Sequence, residues 1–196
     1  DRLSSLTPPS LVGVGEKLTD SALRAALART GPVHRTYLQV RMPKYRMTTQ
    51  QVDALRDHFI RVDRVPELVP DPMRERRKLQ DAHQELATVG PRLVTPDGFG
   101  CTSCHQIGSL IPDKAPVNAR GPNLSMLGTR IRREWFERLV REPLRVLPGV
   151  EMPSLQIPVR GVLNNQLDLQ IASLWNILNN RGFQPPDPNP TQWVRD

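Results

Sequence analysis

The sequence predicts an all-α protein, and two observations on its apolar pattern support this. Apolar residues recur at helical spacing in five segments, and no segment shows the strict apolar–polar alternation of a half-buried strand. The chain's 20 prolines separate these segments and indicate stiff connections. Only 5% of the residues are aromatic, which is little for filling two cores. A bound apolar cofactor would supply the missing core volume.

The apolar spacing predicts five helices, at 19–30, 49–60, 72–88, 132–141 and 165–179. The first begins after Thr19 and the second at Thr48 or Thr49, because these residue types cap helix N-termini. The third is expected to end before Gly90, and Pro143 is expected to end the fourth. The last has the strongest amphipathic pattern in the chain.

The formal net charge of +7 favours binding to an acidic protein surface, an anionic membrane or a nucleic acid. The densest basic run, at 74–78, is interrupted by an acid and has no interleaved aromatics, so we interpret it as a solvated helix face and expect no nucleic-acid binding. No apolar run is long enough for a transmembrane segment. The first residues do not resemble a signal peptide either.

The sequence Cys-Thr-Ser-Cys-His at 101–105 predicts covalent haem attachment. Cys101 and Cys104, separated by two residues, can form thioethers with the two vinyl groups of one haem. His105 is then directed at the iron. A dithiol redox motif and half of a zinc site are the alternatives. The first needs a βαβ setting that the sequence lacks. The second needs two further ligands close in sequence, whereas the other histidines are scattered: His34, His58 and His83.

A six-coordinate haem needs a second axial ligand, for which Met152 is the candidate. Met152 lies in a proline-containing loop between two helices, whereas Met126 follows Gly121-Pro122 too closely to reach the other haem face. A buried methionine that only fills a gap is the alternative. The Pro122 carbonyl is free to accept a hydrogen bond from His105, although Gly-Pro-Asn would also form an ordinary turn.

In this order, the motif at 101–105, Gly-Pro-Asn-Leu at 121–124, Met-Pro at 152–153 and a closing helix with Trp175 resemble a class I cytochrome c. The resemblance covers about residues 72–180. It implies that helix 72–88 crosses helix 165–179 beside one covalent haem c, with His105 and Met152 as iron ligands. The implied cofactor-binding residues are Cys101, Cys104, His105, Pro122, Leu124, Trp135 and Met152. The whole chain resembles the tandem multidomain cytochromes c of planctomycete-type bacteria, which are fused to or partnered with dehydrogenases.

The chain contains an internal repeat. Residues 9–18 align with 122–131 at a constant offset of 113, which relates Leu18 to Ile131, and Met42-Pro43 aligns with Met152-Pro153 at an offset of 110. We therefore expect a partial cytochrome-c-like module at 1–70 without its own Cys-x-x-Cys-His, followed by a class I cytochrome c domain at 71–196. Met42 would contact a second haem only if another segment supplied that motif. Otherwise it would be a core methionine.

The partial module is expected either to pack on the second one or to lie against a partner outside this sequence, because alone it would expose an apolar face. That face includes Leu11, Leu23, Leu27 and Leu38.

The expected function is periplasmic electron transfer through a His/Met-ligated haem c, without enzymatic activity. A five-coordinate haem enzyme or gas-binding protein is the alternative, and a non-redox interaction module is the third hypothesis. The expected partner is a redox protein with an acidic docking surface, such as a dehydrogenase or a respiratory complex subunit. Arg120, Arg130 and Arg132 are candidate contacts for the haem propionates.

Overall fold

The computed structural model describes residues 10–38, 41–64 and 83–186, and it is all-α as predicted. Its helices are α1 (Val14–Lys17), α2 (Asp20–Ala28), α3 (Thr49–Asp63), α4 (His83–Leu93), α5 (Arg133–Arg141), α6 (Pro143–Val146) and α7 (Leu167–Leu178). Short 3-10 turns lie at Cys101–Ser103, Val117–Ala119, Leu127–Thr129 and Leu163–Asn165. β-pairing in the described ranges is limited to two isolated bridges. None of the described helices is long and apolar enough to cross a membrane.

Both predicted N-caps before residue 65 are present. The Thr19 hydroxyl accepts a hydrogen bond from the Ala22 amide, and α2 follows. Thr48, rather than Thr49, caps α3, because its side chain and that of Gln51 each bond the other's backbone amide. This reciprocal pairing satisfies two amides that the first helical turn leaves without partners.

Helix α4 continues through Gly90 and Pro91 to Leu93, so the predicted end before Gly90 is wrong. Gly90 is buried against α7, and a Cβ there would lie 3.0 Å from the Ile177 Cβ and 3.1 Å from the Ser173 Oγ. This packing of α4 on α7 outweighs the low helix propensity of glycine and proline. The predicted start of this helix at residue 72, and the basic run at 74–78, lie outside the described residues.

The elements that follow match the prediction more closely. Pro143 ends α5 as expected and occupies the first turn of α6. Helix α7 begins at Leu167, slightly later than predicted, because Leu163, Asn164 and Asn165 have φ angles of 47°, 53° and 58°. These left-handed conformations cannot continue into a right-handed helix.

The main core belongs to the second half of the chain. Its buried apolar side chains are Leu93, Val94, Ile107, Leu127, Ile131, Trp135, Phe136, Val140, Leu155, Val162, Ile171, Leu174, Ile177 and Leu178. In the described residues before 65, by contrast, the buried large apolar side chains are Leu23 and Val52. Of the apolar face that was expected to be covered, Leu23 is 2% exposed, whereas Leu11 is 59% exposed.

The predicted packing of the first segment on the second is observed, and it centres on Leu18 and Ile131. These two residues form an antiparallel β-bridge. The Thr19 amide donates to the Arg130 carbonyl at 2.9 Å, and the Arg132 amide donates to the Lys17 carbonyl at 3.0 Å. Leu18 and Ile131 are equivalent in the repeat. The bridge therefore places these two aligned positions opposite each other.

A glycine contact is also shared by the two copies. The Gly15 amide donates to Asp63, the last residue of α3, at 2.8 Å. The Gly128 amide donates to Asn179, directly after α7. Gly15 and Gly128 are again separated by 113 residues. Both segments thus attach the same turn to the C-terminal end of their closing helix, which supports interpreting residues 10–64 as a repeat of the later segment.

Candidate cofactor site

The Cys101–His105 segment is fixed to the end of α4 by backbone hydrogen bonds. The Thr102 amide donates to the Val94 carbonyl at 3.0 Å, and the Phe99 amide to the Leu93 carbonyl at 2.8 Å. Gly100 has a φ of +73°, a left-handed conformation that favours glycine. The 3-10 turn at 101–103 closes with a bond from the His105 amide to the Cys101 carbonyl at 2.9 Å. The turn therefore holds both thiols and the imidazole on one rigid support.

His105 makes the hydrogen bond that the sequence predicts. Its Nδ1 lies 2.8 Å from the Pro122 carbonyl oxygen, so Nδ1 carries the proton and donates it. The other ring nitrogen, Nε2, then has its lone pair available for a metal ion. The Gly121 amide donates to the Cys104 carbonyl at 2.8 Å and holds the two loops together.

Gly121 is required by the position of the imidazole ring, a feature that the sequence prediction missed. A Cβ at this residue would lie 2.1 Å from Cε1 and 2.4 Å from Nδ1 of His105. No side chain fits in this space. The sequence signal for this close contact was the glycine directly before the proline that accepts the hydrogen bond from His105.

Burial sets the protonation of the motif. It lowers the pKa of His105, and the opposing hydrogen bond to Pro122 is the smaller effect, so the ring is neutral and able to bind a metal. Burial raises the pKa of the Cys101 thiol to about 11. Cys101 and Cys104 are both free thiols. A dithiol redox motif needs a cysteine with a lowered pKa, so the raised value argues against that alternative.

The zinc alternative also lacks support in the described part of the chain. No group of three or more His, Cys, Asp or Glu side chains there could hold a metal ion. The His34 carbonyl is bonded to the Asn123 amide, and the His58 ring stacks edge-on against Phe59 on α3. The side chain of His83 lies outside the described residues.

The remaining candidate residues lie on the main core. Trp135 is 4% exposed, whereas Leu124 and Met152 are partly buried and pack against the core. Met152 lies in the long connection between α6 and α7, where the Leu155 amide donates to the Val140 carbonyl at 2.7 Å. Iron ligation by Met152 stays a prediction. Met42 is 42% exposed, which does not fit the alternative of a core methionine, and its contact with a second haem stays a prediction.

No family model, curated protein or solved structure matches this chain. The function is therefore inferred from the residues and geometry of the site itself.

The three arginines proposed for the propionates differ in their surroundings. Arg120 donates to the Ala115 and Asp113 carbonyls, each at 2.9 Å, and so shapes its own loop. Arg132 also has an interaction partner in the protein. The side chain of Arg130 makes no ion pair with a described residue, and burial followed by the charge of Arg35 lowers its pKa to about 10. Arg130 is the member of the set best placed to bind an anion.

Proposed function

We propose that this chain is a c-type cytochrome that transfers single electrons through one haem c attached to Cys101 and Cys104. The observation that carries the proposal is the 2.8 Å contact between His105 Nδ1 and the Pro122 carbonyl. It orients the imidazole next to the two thiols and leaves Nε2 available. The crossing of α4 and α7 at Gly90 supports a class I cytochrome c arrangement.

The residues present fit a covalently bound haem. Cys101 and Cys104 would form the two thioethers, and both sulfurs are free to do so. His105 would be the proximal iron ligand, with Met152 as the distal one. Haem iron supplies one-electron exchange between its ferrous and ferric states. The protein's part is to hold the ring of His105 neutral and fixed, and to provide buried apolar contacts from Leu124 and Trp135.

The proposed partner is a redox protein with an acidic docking surface, such as a dehydrogenase or a respiratory complex subunit. The net charge of +7 supports this, because charge of opposite sign steers transient association. Because covalent haem attachment takes place outside the cytoplasm, the proposed location is the periplasm or another extracytoplasmic compartment. No enzymatic role is proposed.

Covalent attachment is tested by exporting the chain in a host that matures cytochromes c. We expect the intact mass to rise by one haem and the colour to resist acid–acetone extraction. Cys101→Ser and Cys104→Ser should each lose one thioether, and the double variant should lose the covalent pigment. The matched control is Ser103→Ala, which lies between them and is exposed. Extractable pigment in the wild-type protein would contradict the proposal.

Ligation by Met152 separates electron transfer from the five-coordinate alternative. We expect the oxidised protein to show the far-red absorption band of a methionine–iron bond. Met152→Leu should abolish it and lower the reduction potential, because the thioether stabilises ferrous iron. Met126→Leu is the control. A wild-type protein without this band that binds carbon monoxide readily in the ferrous state would favour the five-coordinate alternative.

A further inference from the structure

Residues 120–124 contain the hydrogen-bond acceptor of the axial imidazole and are named the acceptor loop. Within this loop, the Pro122 carbonyl oxygen lies 2.8 Å from His105 Nδ1. The Cys104 and Gln106 carbonyls each accept a bond from an amide of the loop, at 2.8 and 2.9 Å. These bonds attach the acceptor loop to the segment that contains the two thiols and the imidazole.

The first segment of the chain makes two further bonds to the acceptor loop. The Tyr37 hydroxyl donates to the Arg120 carbonyl, two residues before Pro122. The Asn123 amide, directly after Pro122, donates to the His34 carbonyl at 2.9 Å. The two contacts lie on either side of Pro122 along the chain. The segment before residue 65 therefore holds the acceptor loop both before and after the carbonyl that His105 uses.

The acceptor loop needs such support because of its sequence. Pro122 has no amide proton, so it cannot anchor itself through a backbone donor. Gly121 before it restricts the backbone least of all residue types. Tyr37 is suited to supply the missing bond, since burial raises the pKa of its hydroxyl, which therefore keeps its proton and donates it. The position of the Pro122 carbonyl thus depends on the bonds that its neighbours make.

We propose that Tyr37 is a positioning residue for the axial imidazole. By holding the Arg120 carbonyl, its hydroxyl keeps the Pro122 carbonyl within hydrogen-bonding distance of His105. This inference rests on the proposed function, and its new element is that the first segment tunes the haem of the second. A firmly held acceptor makes the imidazole a stronger donor to the iron, which stabilises ferric haem and lowers the reduction potential. Loosening the acceptor loop should raise the potential.

The experiment compares Tyr37→Phe with Tyr45→Phe in the holoprotein. Tyr45 is the second of the chain's two tyrosines and is 63% exposed, so both variants lose the same hydroxyl group from different surroundings. Histidine labelled with nitrogen-15 reports the Nδ1 proton of His105 in the reduced protein, where the ring current of the haem separates its signal from those of other histidines. Voltammetry gives the reduction potential. Tyr37→Leu, which also removes the ring, is the second variant.

In Tyr37→Phe, the Nδ1 proton of His105 should exchange with solvent about tenfold faster. The one-electron equilibrium should move about threefold towards ferrous haem, equivalent to about 28 mV. Tyr37→Leu should change both at least as much, and Tyr45→Phe should change neither. An Nδ1 proton that exchanges as in the wild type in both Tyr37 variants would overturn this inference alone, whatever the potential does. A wild-type protein without covalent haem would overturn the proposed function as well.

Discussion

Leu18 and Ile131 pair across the junction of the two segments, although 113 positions separate them in the chain. Because the two residues are equivalent in the repeat, the bonds on either side of them are equivalent too. Because the pairing is antiparallel, it places Lys17 opposite Arg132 and Thr19 opposite Arg130. Nothing in the local sequence of either segment indicates this contact.

The fit of His105 against Gly121 is tested by Gly121→Ala. The new methyl group would lie 2.1 Å from the imidazole, so the ring must move and lose its bond to Pro122. We expect the free energy of unfolding of the holoprotein to fall by about 2–3 kcal/mol, with a weaker far-red absorption band. Urea denaturation and the visible spectrum measure these changes.

Gly31→Ala is the matched control, because its methyl group would meet the Ala25 Cβ at an ordinary 3.5 Å. Equal stability and equal spectra for the two variants would show that Gly121 does not support the imidazole.

The glycine contact shared by Gly15 and Gly128 predicts which of two alanine variants loses more stability. In Gly15→Ala the new methyl group would lie 2.2 Å from the backbone oxygen of Phe59, which cannot move without bending α3. In Gly128→Ala it would meet the side chain of Asn179, which can rotate away. We expect losses of about 3 kcal/mol and about 1 kcal/mol in the free energy of unfolding. Chemical denaturation of both variants checks the order, and a larger loss for Gly128→Ala would refute it.

How much the sequence predicts depends on how local the deciding interactions are. Thr19 and Thr48 cap their helices through residues three positions away, so sequence alone locates these starts. The end of α4 was missed because Gly90 is held by contacts with α7, more than 80 residues later. The start of α7 was misplaced because three successive left-handed residues precede it, two of them asparagines.

The candidate site follows the same distinction. The spacing of Cys101, Cys104 and His105 defines a chemical motif. Gly121-Pro122 lies shortly after it in the sequence and suggests the Pro122 carbonyl as the hydrogen-bond acceptor of His105. The contact of the first segment with Arg130 and Arg132 depends on the packing of two distant parts of the chain. The alignment of Leu18 with Ile131 in the repeat was the available signal, and alignment alone does not indicate contact.

Gln170 is a further residue that sequence analysis did not identify. Its side chain is fully buried, accepts from the Val159 amide at 2.8 Å and donates to the Val159 and Val162 carbonyls at 2.9 and 2.8 Å. Gln170→Leu would leave these groups without partners while keeping a similar volume. We expect a loss of about 3 kcal/mol in the free energy of unfolding. The control is Gln166→Leu, at the exposed residue directly before α7, and similar losses in both would contradict the assigned role.

His34 should make the protein less stable in mild acid. Burial, and then the charge of Arg130, lowers its pKa in the folded state to about 4 from the usual 6.5. The folded state then binds fewer protons than the unfolded state between these values. The His34 contribution is therefore complete above about pH 6.5 and decreases as the pH falls towards 4. Because the ring is partly exposed, solvent screening limits the loss to about 1 kcal/mol.

Urea unfolding at about pH 7 and about pH 5 measures this effect, because the lowered pKa of a paired carboxylate such as Asp20 and the ordinary pKa of an unfolded aspartate both lie below these values. His34→Gln should remove part of the pH dependence, because glutamine gains no proton at the lower pH. His58→Gln, on the exposed side of α3, should keep it. If His34→Gln loses as much stability as the wild type between the two pH values, the acid sensitivity arises elsewhere. If the sensitivity does originate at His34, mild acid should loosen the contact between His34 and Asn123 first, because the charged ring would lie next to Arg130.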